Sequence, residues 1–144
     1  MRQFGTKEPG RDYSDRLGAF GIALNADGEL LVARNPRGLV LPGGAPEEGE
    51  TLEQALVREF LEETGYEVAA GERLGAARQY DAREQSAYNK ECHFFRVRIV
   101  EKRGAPLESD HVPLWMTASE AELNLKEEAS RWAVAQWARS PHAM

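Results

Sequence analysis

Apolar positions alternate in the first part of the chain and take a helical period in the middle and at the end. Phe20, Ile22 and Leu24 alternate with smaller residues, the period of a half-buried strand. Asn25-Ala26-Asp27-Gly28 reads as a hairpin turn into a second strand over Glu29–Arg34. Leu39-Val40-Leu41 is a short apolar run stopped by Pro42-Gly43-Gly44. Further strands are expected around Leu74–Tyr80 and Cys92–Glu101. In the second, His93, Phe95, Val97 and Ile99 share one face, and Arg96 and Arg98 the other. Pro113–Met116 reads as a last short strand. Thr117, with Glu120 three residues on, has the spacing of a capping box. Lys126–Arg139 carries Ala129, Trp132, Ala133, Gln136 and Trp137 on one stripe and reads as a C-terminal helix ended by Pro141. Residues 1–16 are polar and punctuated by glycine and proline, so they read as a loose arm. Strands, helix, strands and helix in that order imply a mixed sheet with helices packed on it, and 144 residues suit one domain spanning 1–144.

The middle helix is the unusual element. Thr51 with Gln54 has capping-box spacing and Gly65 supplies a C-terminal stop, so a helix is expected from about Leu52 to Thr64. At 100° per residue Leu52, Ala55 and Leu56 share a face, and the same face continues into Glu59, Glu62 and Glu63. Like charges at i,i+3 and i,i+4 repel by a few tenths of a kcal/mol each, roughly. The helix dipole disfavours anions in that half. A segment that breaks several local rules together does so for function, and a hard divalent cation would offset all of these costs.

Charge sharpens this picture. The chain carries 24 acids and 18 bases, a net charge of -6. Residues 44–66 hold seven glutamates against the single base Arg58, an excess of six. The rest of the chain, 17 acids and 17 bases, is therefore neutral. The whole excess sits in one segment, which points to a partner of opposite sign. Cys92 is the lone cysteine and reads as a buried, inert thiol. The N-terminus has no apolar run of a signal peptide, and no stretch is apolar enough to span a membrane. A cytoplasmic location is the expectation, with no membrane partner.

Gly44, five residues, Glu50, seven residues, then Arg58-Glu59-Phe60-Leu61-Glu62-Glu63-Thr64-Gly65-Tyr66 completes a pattern. It resembles the Nudix box at every specified position, and the likeness extends in outline over about residues 17–139. The resemblance implies an α/β/α sandwich around a mixed sheet. It also implies an enzyme that hydrolyses a phosphoanhydride in a nucleoside diphosphate linked to some group X, with Mg2+ or Mn2+. Nucleoside triphosphates, nucleotide sugars and dinucleoside polyphosphates all have that form. By the same resemblance Glu59, Glu62 and Glu63, with the carbonyl of Gly43, are the metal ligands. Arg58 holds the glutamates by ion pairing, and Glu50 supports the site. The general base is expected to be Glu59 first and, second, an acid on a later loop, Glu108 or Asp110.

Substrate identity is thinly written. The proline that marks ADP-ribose pyrophosphatases has no counterpart in Asp81-Ala82-Arg83-Glu84. Arg16, Arg34, Arg78 and Lys90 are candidates for phosphate contact, and Tyr80, Tyr88 and Phe94 for stacking on a base. His111, Trp132 and Trp137 read as structural. Two other readings stand beside the mononucleotide enzyme. One is pyrophosphate removal from RNA 5′ ends, which would want a basic groove beside the box; the dispersed arginines do not favour a nucleic-acid partner. The other is a nucleotide-sensing module without catalysis, whose box acids would be eroded, whereas all are present here. A homodimer is left open.

Overall fold

The computed structural model describes residues 1–138. Helix α1 spans Leu52–Thr64, with Thr51 as N-cap, both bonds of the capping box made with Gln54, and Gly65 left-handed at φ 77° as the C-cap. The local signals for this helix are strong at both ends, and its observed bounds equal the expected ones.

Strands β1 (Arg2–Phe4), β2 (Ser14–Ala23), β5 (Gly43–Gly44), β6 (Tyr66–Ala82) and β7 (Ala87–Lys102) form a five-stranded mixed sheet in the order β1-β6-β7-β2-β5. β2 runs parallel to β7 and antiparallel to β5, whereas β6 and β7 are antiparallel. Strands β3 (Leu30–Asn35), β4 (Gly38–Val40) and β8 (Val112–Met116) form a second, antiparallel sheet in the order β4-β3-β8. Alternation sorts the core into two layers. Ile22, Leu30, Val32, Cys92 and Phe94 pack with α2 (Ala118–Asn124) and α3 (Glu128–Ala138). Ala19, Ala23, Leu31, Phe95 and Val97 pack against Leu56 and Phe60 of α1. Helices thus cover the mixed sheet on both sides, the α/β/α arrangement expected.

Several expectations need correction. The 25–28 turn forms, with the Asn25 side chain accepting from the backbone of Asp27 and Glu29. Its two strands do not stay paired, however: one bridge, Leu24 to Leu30, is made before β2 and β3 diverge into different sheets. The N-terminal segment is not a loose arm. β1 pairs in parallel with β6, and the Arg11 guanidinium donates to the Arg83 and Ser86 carbonyls. β6 begins eight residues before its expected start, because register shifts near Glu67, Ala70 and Arg73 break the period-2 pattern there. α3 starts at Glu128 rather than Lys126, since Leu125 is extended and bridges Leu39 while the Lys126 amide donates to the Leu39 carbonyl. The expected helix end at Arg139 and Pro141 lies outside the described residues. Among the described residues no helix is long and apolar enough to cross a membrane.

Gly21 marks where α1 crosses β2. A Cβ there would lie 2.6 Å from Phe60 Cε1 and would also collide with Val97. Gly21→Ala should cost about 2 kcal/mol of stability by overpacking, read as a lower midpoint in chemical denaturation. A midpoint equal to that of the parent protein would show that α1 can lift without penalty.

Candidate active site

The acidic end of α1 meets the β5 glycines and the loop before β8. Arg58 is the hub. Its Nε and Nη2 donate to the two Glu50 oxygens at 2.8 and 2.9 Å, while Nη1 reaches Glu59 at 2.9 Å and Glu62 at 3.2 Å. Nη2 also donates to the Ala45 carbonyl. This fork raises the Arg58 pKa, chiefly through the Glu50 hydrogen bond, and that same bond with the Glu47 backbone amide holds the Glu50 carboxyl down at about 2. Glu48 and Glu53 are exposed and solvated, while Glu47, also exposed, reaches Arg58 at 3.5 Å from the rim of the gathered set.

Glu63 is 4% exposed and lies beneath this surface. Burial, then a hydrogen bond with Glu59 and its charge, drive the Glu63 carboxyl far above the usual carboxylate range. The Gly43 amide faces it at 3.5 Å. Gly43 and Gly44 are needed for close approach: a Cβ at Gly44 would lie 2.8 Å from the Glu59 carboxyl carbon, and one at Gly43 would strike the backbone of β2. Glu108 arrives from the other side. Its amide donates to the Glu62 carbonyl at 3.0 Å, filling one of the helix's orphan acceptors. Glu59, Glu62 and Glu108 each offer an oxygen within 4.8 Å of the others. Burial raises the Glu108 pKa, against the opposing charge of His111. His111 Nδ1 sits 3.1 Å from Glu108 and 2.9 Å from Asp110.

Beside this acidic end a cavity of about 150 Å³ runs along the α3 side of β2 and β7. Its lining includes Gly43, Gly44 and Glu63, the apolar Phe20, Leu39 and Leu41, and a set of charged side chains. Arg16 and Lys90, two of the expected phosphate contacts, line it. The other candidates sit elsewhere. Arg34 is exposed on β3. Arg78 projects from the opposite face of the sheet to Ala77 and pairs with Asp15 and Glu91. Tyr80 packs edge-on against Tyr13 with centroids 5.3 Å apart. Phe94 is core, whereas the Tyr88 ring has both the Arg16 and the Arg83 guanidinium over it. Trp137 is buried and Trp132 packs against the same core. Cys92 is buried, which pushes its thiol up to about 12.

Residues not anticipated from the sequence are Arg37, Arg83, Lys126 and Glu127, which also line the cavity. Arg37, Arg83 and Lys90 converge on Asp81, whose side chain is 5% exposed, at 2.6, 3.1 and 3.6 Å. Burial would raise the Asp81 pKa, but the Arg37 hydrogen bond and the three cations override it and hold the carboxyl at about 2. The one hint in the sequence is an acid directly after the strand run expected over Leu74–Tyr80.

The NUDIX domain family pattern matches residues 15–138. The chain belongs to the Nudix family. A Bacillus subtilis (strain 168) protein named "Putative 8-oxo-dGTP diphosphatase" is 43% identical over 60 residues, which is 40% of this chain and 40% of that Nudix relative. A NUDIX hydrolase from Nitrosomonas europaea superposes with a TM-score of 0.73 at 21% identity, over 87% of this chain and 89% of that one. The MutT protein of Methanosarcina mazei Go1 gives 0.71 at 19% identity, over 89% and 96%. At these identities the two structures establish that the Nudix fold is shared.

Two variants probe the site's architecture. Arg58→Lys keeps the charge but loses the fork, and should cost about 2 kcal/mol, seen as a lower thermal midpoint; an unchanged midpoint would mean that the glutamates need no fork. Asp81→Asn removes a carboxylate whose folded pKa is depressed. Its contribution of about 2 kcal/mol is present above the unfolded pKa near 4 and fades as pH falls towards 2. The stability gap to the parent should therefore be widest above pH 5 and narrow below pH 4; a gap independent of pH would refute the ion-pair account.

Proposed function

We propose that this chain hydrolyses a phosphoanhydride bond in a nucleoside diphosphate linked to a further group, using Mg2+ or Mn2+. The convergence of Glu59, Glu62 and Glu108 oxygens within 4.8 Å, beside a glycine backbone that admits no Cβ, is the observation that carries the reading. The donor set fits a hard divalent cation, since every side-chain ligand is a carboxylate oxygen. Glu59, Glu62 and Glu63, with the Gly43 carbonyl, would hold it, and Glu108 stands within reach. A bound cation supplies Lewis-acid polarisation at phosphorus and offsets the negative charge of the substrate.

The chain's own groups do the rest. Arg58 keeps Glu50, Glu59 and Glu62 from splaying apart. Glu63, buried beneath Glu59, would hold the cation as a carboxylate. A carboxylate facing the attacking water takes a proton from it. Glu108 suits that role because it is outside the Arg58 hydrogen bonds and its raised pKa makes it a stronger base; Glu59 is the second candidate and is engaged by both Arg58 and Glu63. The Bacillus subtilis relative's name adds support for a nucleotide diphosphatase within the Nudix family.

A screen with Mg2+ and Mn2+ over nucleoside triphosphates, ADP-ribose, nucleotide sugars, dinucleoside polyphosphates and a 5′-triphosphorylated RNA tests this, with released pyrophosphate read through added pyrophosphatase and released monophosphates through added alkaline phosphatase. Turnover of at least one small nucleotide is expected, abolished by chelation and lowered about 100-fold or more in kcat by Glu62→Gln. No turnover on any substrate, with Glu62→Gln indistinguishable from the parent, would overturn the proposal.

A further inference from the structure

The far end of the cavity repeats, with the opposite sign, the argument made by the acidic helix. Arg16, Arg37, Arg83, Lys90 and Lys126 gather there in a chain whose net charge is -6. Lys90 is satisfied within the wall: its ammonium lies 2.6 Å from Glu127. Asp81 holds Arg37 and Arg83 closely and Lys90 at 3.6 Å, whereas Arg16 and Lys126 have no carboxylate partner among the described residues. Arg16 and Arg83 crowd the same Tyr88 ring, at 4.8 and 5.3 Å from its centroid. The Lys126 stem lies over Gly38, where a Cβ would sit 3.4 Å away. Burial and then the neighbouring Arg37 charge lower the Lys126 pKa. An excess of three positive charges around one pocket is unfavourable unless an anion enters it.

This end is distinct from the acidic one. Phe20 is paired with Gly43, and Arg16 lies four residues away along β2, a separation of about 13 Å. The Phe20 ring lies between, with Cδ1 at the edge of Gly43 and the Lys90 ammonium 5.5 Å from the ring centroid. Phe20, Leu39 and Leu41 make the intervening wall apolar. A molecule filling the whole cavity therefore has an anion at the glycines, an uncharged body over Phe20, and a second anion among the cations.

We infer that the substrate of this chain carries a second phosphate group beyond its nucleoside or sugar, received by Arg16, Arg37, Arg83 and Lys126. This rests on the hydrolase reading, because it takes the diphosphate to lie at the acidic end. The ligand chemistry is that of a phosphomonoester on a nucleotide.

Binding is the first test, measured by calorimetry in EDTA with adenosine 2′,5′-bisphosphate, adenosine 3′,5′-bisphosphate and AMP. At least one bisphosphate should bind tenfold or more tightly than AMP, and the ratio should fall towards one in Lys126→Gln and Arg16→Gln. Both substitutions leave the buried Asp81 carboxylate with its Arg37 and Arg83 partners. Hydrolysis is the second test, with Mg2+ and the matched pairs NADP+ and NAD+, and coenzyme A and dephospho-coenzyme A. The phosphorylated member of at least one pair should have the higher kcat/KM, mostly through KM. Equal binding of bisphosphates and AMP, or a preference that survives both substitutions, overturns the inference. Preferred binding of a bisphosphate with no hydrolysis of any pair counts instead against the hydrolase reading, and leaves a second anion site.

Discussion

Four carboxylates converge on a single guanidinium, and the rest of the acidic site depends on that arrangement. Glu50, Glu59 and Glu62 would repel one another at the separations seen, and the Arg58 fork holds three of them with one planar group. Glu47 adds a longer, more exposed contact. Because Glu50 precedes α1 and the others lie on it, the same group also ties the approach loop to the helix. The glycine backbone of β5 can then come close enough to Glu59 and Glu63 for the Gly43 amide to face the Glu63 carboxyl.

What the sequence discloses follows how local the cause is. The bounds of α1 are legible because the capping box and the glycine stop act within a few residues. The acidic stripe is legible because helical period places Glu59, Glu62 and Glu63 together whatever surrounds them. Glu108 is legible as a region, although its amide bond to the Glu62 carbonyl depends on the whole fold. Strand lengths are less legible where bulges interrupt alternation in β6, and the split of β2 from β3 follows from pairing choices made far away.

The basic end of the cavity is hidden for a stronger reason. Its groups come from β2, the turn after β3, the β6–β7 connection, β7 and the segment before α3. No window of sequence contains more than a fraction of them. Parity along a strand also decides the matter: Arg78 sits between Ala77 and Gln79, whose side chains meet the α3 layer, so its own points the opposite way. Arginine content alone does not distinguish Arg78 from Arg16.

The loop after β7 attaches to α1 through main-chain atoms: the Arg103 amide to the Gly65 carbonyl, and the Glu108 amide to the Glu62 carbonyl. Position 108 is thus fixed by peptide groups that every amino acid except proline possesses. Its side chain can change without moving the site's geometry. Such a position can be refitted with a different side chain while the fold's connectivity stays untouched, and it separates where a group stands from what that group is.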